Sequence, residues 1–147
     1  MRKTLRSLLA ILGASAVLIA LSILLQGAAA TAGLGERIFD LVSGWRGPDS
    51  PPWPASMDNE LRFYAALWGA YGLLVLRCAR NIDKQAGQVP WLAATFFAGG
   101  VGRAMSWFAV GAPHPFFLAL MAIELTLPVA LAGLWLAQRR APSQCHS

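Results

Sequence analysis

Two opposite charges stand inside otherwise apolar stretches of this chain: Arg103 within residues 90–110 and Glu124 within 115–137. At a helical rise of about 1.5 Å per residue, Arg103 lies about 11 Å from the Val110 end and Glu124 about 13 Å from the Pro115 end. An ionisable group in hydrocarbon costs on the order of 3 kcal/mol, so each needs a partner or a purpose. Consecutive antiparallel helices bring the two to matching depth, and an ion pair is then the cheapest arrangement. Pro128 adds to this level, because a proline removes the helical hydrogen bond to the carbonyl four residues earlier, here that of Glu124. A guanidinium carries several donors and can hold a carboxylate while still grasping another group.

Arg62 is a third candidate. Fourteen residues separate it from Arg77, about 21 Å of helix, so it falls below the outer edge of a bilayer core or snorkels upward. Glu60 stands near the same mouth. Small residues follow on that helix (Ala65, Ala66, Gly69, Gly72) and flank Arg103 on the next (Gly99, Gly100, Ser106), which allows close helix approach. Together these residues predict a polar pocket among the second, third and fourth helices, able to clamp an anionic group through Arg62 and Arg103 with Glu124 orienting Arg103.

Other chemistries find less support. No nucleophile–base pair and only one buried carboxylate are present, so no catalytic residues are assigned and an enzyme is the least supported reading. Cys145 and His146 are too few for a metal site, which usually takes about four ligands. No pair of histidines lies within the apolar stretches for a haem, and no cofactor is indicated. His114, between Pro113 and Pro115, is expected in a surface turn.

The elements that must position these residues are helices in a membrane. A hydrophobic fraction of 56% and a charged fraction of 13% sit far from soluble averages. Four stretches suit a hydrocarbon core of roughly 30 Å: residues 8–29, 61–79, 90–110 and 115–137. The expected fold is all-α, a single domain over 1–147: a membrane-embedded four-helix up-and-down bundle, with residues 30–60 as an outer loop. In that loop Leu34, Ile38, Leu41, Val42 and Trp45 recur at helical spacing opposite Glu36, Arg37, Asp40 and Ser43. This predicts a short amphipathic segment lying in the membrane interface.

Charge sets the direction. The termini and the loop after the second span hold eight basic residues against one acid, and the opposite side holds three against five. By the positive-inside rule both termini are cytoplasmic. The net charge of +5 is thus a topology signal rather than a nucleic-acid patch. Cys78 and Cys145 fall on the reducing side, so no disulfide is expected. The first apolar run, Leu8 to Leu25, exceeds a signal peptide's core and is read as a retained helix. Ten arginines against two lysines suggest a bacterial, GC-rich source, which places the chain in a cytoplasmic (inner) membrane.

The run Asn59-Glu60-Leu61-Arg62-Phe63-Tyr64, then Gly99-Gly100-Val101-Gly102-Arg103-Ala104-Met105-Ser106, Gly111-Ala112-Pro113, Ile123-Glu124-Leu125 and Pro128 resembles a family of small bacterial four-helix membrane proteins filed as a domain of unknown function. In layout the chain is also similar to DoxX-like membrane proteins. The resemblance covers roughly residues 5 to 138 and implies a left-handed bundle with the first helix retained. It carries no activity. Asn59, Arg62, Arg103 and Glu124 are the positions that match its polar motif, which adds Asn59 to the candidate ligand-binding set.

Three functions follow. The first is a module binding an anionic or amphipathic small molecule or lipid. The second is an accessory subunit of a membrane complex, or an oligomer, with Arg103–Glu124 as a buried staple. The third is a small proton-coupled transporter, weakened because an arginine neighbour favours the charged form of any carboxylate. A pocket predicts open volume beside Arg103; a staple predicts direct contact between the charges; a transporter predicts a path past Glu124.

Overall fold

The computed structural model describes residues 2–48, 50–51 and 53–140; the predicted tail residues Cys145 and His146 lie outside them. The described residues are almost wholly helical and contain no strand: α1 (Arg2–Gln26), α2 (Ala28–Ser43), α3 (Ala55–Arg80), a short α4 (Ile82–Gln85) leading through one 3-10 turn, α5 (Val89–Val110) and α6 (Pro115–Arg140). Two of them, Arg2–Gln26 and Pro115–Arg139, are long and apolar enough to cross a membrane. In α5 the glycines, the indoles and Arg103 dilute the apolar average, and in α3 the apolar run is confined between Arg62 and Arg77.

Two antiparallel pairs make the fold, α1 with α3 and α5 with α6. The α1 stripe Leu5, Leu9, Leu12, Gly13, Ala16 and Ala20 is buried, a spacing of three and four that keeps one helix face inward. Its small members meet small members of α3. A Cβ on Gly72 would lie 2.9 Å from the Gly13 carbonyl oxygen and 3.0 Å from the Ala16 Cβ, so the two backbones nearly touch. Gly100 does the same for α5, where a Cβ would meet Glu124 Cβ at 3.0 Å and Leu125 Cδ2 at 2.9 Å.

The core gathers at one end. Leu5, Leu9, Val75, Cys78, Val89 and Leu131 are fully buried, and these come from the start of α1 and α5 and the end of α3 and α6. Trp68, Tyr71 and Phe96 stack above them with centroids 5.1–6.5 Å apart, and the Tyr71 hydroxyl donates to the Leu92 carbonyl at 2.9 Å. Towards the other end α3 and α5 have little contact, and the two pairs part.

The first helix ends earlier, and the segment after it is more helical, than its composition suggests. α1 stops at Gln26 because Gly27 adopts φ +92°, which breaks the helix although the apolar run continues into Ala28–Ala30. The chain then re-enters a helix of sixteen residues where one or two amphipathic turns are predicted. The end of its apolar face points outward, with Leu41 87% and Val42 83% exposed, while Glu36 is 6% exposed and accepts from the Ser50 hydroxyl at 2.6 Å. His114 departs from its expected surface place. Its side chain is only 3% exposed, packed edge-on to Phe39 and Trp45, with Nε2 3.4 Å from Asp40 Oδ1. The His114 Nδ1 accepts the Phe116 N–H at 3.3 Å, which leaves Nε2 as the nitrogen facing Asp40. The turn therefore anchors α2 to the start of α6.

Candidate functional site

Arg103 and Glu124 meet as their depths predict. Arg103 Nε donates to Glu124 Oε2 at 2.7 Å. The Gly100 approach, one turn before Arg103, brings α6 close enough for this short contact. Glu124 is buried at 8% exposure, whereas 39% of the Arg103 side chain is open. Among the described residues only Nε of this guanidinium is hydrogen-bonded. Its terminal nitrogens find no protein acceptor, and the Phe117 ring lies 5.9 Å from its carbon. The Glu124 carbonyl released by Pro128 takes no side-chain donor.

The open part of Arg103 faces two clefts. The larger has a volume of about 1070 Å³ where α3 and α5 part, between Tyr64, Trp68, Phe96, Gly99 and Ser106, with Glu124 beside Arg103. The smaller, about 430 Å³, lies under α2 against Leu34, Ile38, Phe116 and Leu120. Ile19, Ile23, Leu61 and Arg103 border both, so the guanidinium stands at their junction. A cleft of this size suits a ligand with a substantial apolar body. The walls differ from the predicted polar pocket in two ways. The first helix contributes to them, and all lining groups except one corner are apolar or uncharged.

Arg62 is placed elsewhere, and its partner is a residue that sequence reasoning did not single out. Arg62 Nε donates to Asp58 Oδ2 at 2.7 Å and Nη1 to the Leu24 carbonyl at 2.6 Å, while Asp58 Oδ1 accepts the Ala28 N–H at 2.9 Å. The pair straddles Gly27: the cation takes a carbonyl at the end of α1, and the anion takes an amide at the start of α2. Both match the charge preference of helix ends. A Cβ on Gly27 would sit 3.0 Å from both side chains. The i,i+4 spacing of Asp58 and Arg62 was the available signal. Asn59 and Glu60 are exposed in the second turn of α3 and join neither pair.

The Arg62 guanidinium, and then the Ala28 N–H, hold the Asp58 carboxyl below its ordinary range. A lowered folded-state value means stability that is complete above the unfolded value and is lost as pH falls below it. Asp58→Asn should therefore flatten the fall in unfolding temperature on acidification through the carboxylate range. An unchanged acid slope would remove Asp58 from the account.

The geometry defines a class: an all-helical chain with two membrane-length apolar helices and one ion pair at the junction of two apolar clefts. The family follows from comparison. The model described as Domain of unknown function (DUF4345) matches residues 4–136, nearly the whole chain, and the chain belongs to that family. No curated protein and no solved structure matches it.

Proposed function

We propose that this protein is a multi-pass membrane protein that binds an amphipathic small molecule or lipid, with its polar group at Arg103 and its apolar body in the clefts. The observation that carries this reading is the half-open guanidinium at the junction of two apolar cavities. A staple alone needs the Arg103–Glu124 contact but neither the open volume nor the unused donors.

The membrane reading has its own support. Residues exposed on all the long helices include Ile11, Leu25, Phe63, Leu73, Phe108 and Val129, which water would not tolerate in such number. The outward apolar face of α2, with Glu36 turned in, suits the interface between headgroups and hydrocarbon. With the basic excess beside the two termini, these features support four spans in a bacterial inner membrane and cytoplasmic ends.

The accessory-subunit reading keeps one favourable observation, the direct 2.7 Å contact itself. Native mass spectrometry with lipid analysis separates the two. The comparison is wild type against the charge-neutral double variant Arg103→Leu with Glu124→Leu. A co-purifying amphiphile in wild type, lost in the double variant while the helical content persists, is the expected result. No bound species in wild type would favour the staple.

A further inference from the structure

The ligand's polar group is open to a sharper statement, which rests on the binding reading above. Among the described residues, Arg103 and Glu124 are the only charged ones that border either cleft. They are already in contact at 2.7 Å, so the site's net charge is zero before anything enters. The next charges along the wall, Arg62 and Asp58, are likewise closed on each other. What remains on the guanidinium is donor capacity: the terminal N–H groups of Arg103 have no protein acceptor among the described residues. Of the uncharged polar neighbours in the larger cleft, Tyr64 and Ser106 keep hydroxyl donors with no partner among the described residues, while two others are engaged. The Tyr71 hydroxyl is given to Leu92, and the Thr95 hydroxyl to Trp91.

A bare anion entering this corner would leave one uncompensated negative charge among apolar side chains. An uncharged acceptor takes the same N–H groups and leaves the balance at zero. We infer that the site selects an electrically neutral lipophile bearing a hydrogen-bond-accepting carbonyl, such as an ester or ketone on a long apolar body, over an ionised acid of the same chain. This replaces the anionic clamp expected from two arginines, because the second arginine is spent on the α1–α2 junction.

The test uses full-length protein in nanodiscs of zwitterionic phospholipid. The probes are a brominated long-chain fatty acid and its methyl ester, at a pH where the acid is ionised. Bromine quenches indole fluorescence, and the signal from Trp68 on the cleft wall is isolated by difference from Trp68→Phe. In wild type the ester should saturate the quenching at an apparent Kd about tenfold or more below that of the ionised acid. Glu124→Gln keeps the side-chain shape but leaves Arg103 uncompensated, and it should reverse the order in favour of the acid.

A wild-type preference for the ionised acid overturns the inference and leaves the binding reading intact. So does an order unchanged by Glu124→Gln in folded protein, and the wild-type comparison decides by itself if that variant does not fold. Quenching by neither probe that saturates, or saturation that survives Arg103→Leu with Glu124→Leu, would instead bring down the binding reading.

Discussion

Arg103→Leu is expected to destabilise the folded protein by about 3–5 kcal/mol, because it leaves the buried Glu124 carboxylate without its cation. Glu124→Leu should cost less, since the Arg103 side chain is 39% open and its head can shift within the cleft. The double variant should recover most of the loss, as apolar replacements of a buried pair often do. Thermal unfolding in detergent, followed by circular dichroism for all four proteins, gives the coupling directly. Additive single effects would mean that the pair contributes no mutual stabilisation. The recovery matters for function as well. If the double variant is as stable as wild type, the charges are retained for something other than holding the helices together.

Gly72→Val should separate α1 from α3 and lower stability by about 1–3 kcal/mol, the usual range for forced overpacking. The first added carbon already meets the Gly13 carbonyl, Val17 Cγ2 and Ala16 Cβ at 2.9–3.0 Å, all on the facing helix α1, and the carbonyl and the Ala16 Cβ have no flexible end to give way. A larger residue at Gly102, around which a Cβ meets nothing within 4 Å, is the matched control. Equal losses at the two positions would argue that helix propensity, rather than close approach, governs the effect.

The Arg103–Glu124 contact was legible because a lone charge within an apolar helix has so few options that matched positions on consecutive antiparallel helices name the partner. The small-residue faces of α1 and α3 were legible for a related reason, since glycine and alanine at helical spacing signal close packing. The α1–α2 break was harder to read. Gly27 sits within a continuous apolar run, and its positive φ depends on Asp58 and Arg62, some thirty residues away. That long-range capping also hid the place of Arg62, which depth alone would let reach either level. His114 misled because flanking prolines argue for a turn but say nothing of its burial, which comes from Phe39 and Trp45 of the outer segment. The apolar nature of the clefts was hidden too, because Ile19 and Ile23 come from a helix not counted among the walls.

The central claim, that the clefts beside Arg103 are occupied by an amphiphile, is tested most directly by filling one. Gly99 borders the larger cleft, and a Cβ there meets nothing within 4 Å. Gly99→Leu therefore adds apolar volume to the cavity while keeping both charged residues, and replacing a mid-helix glycine should hold or raise stability by up to about 1 kcal/mol. Native mass spectrometry of wild type and Gly99→Leu, purified identically, should show a bound lipophile in the first and its loss in the second, with the unfolding temperature unchanged or higher. Equal occupancy in both, with the leucine variant folded, would contradict the account and place any bound molecule outside this cleft.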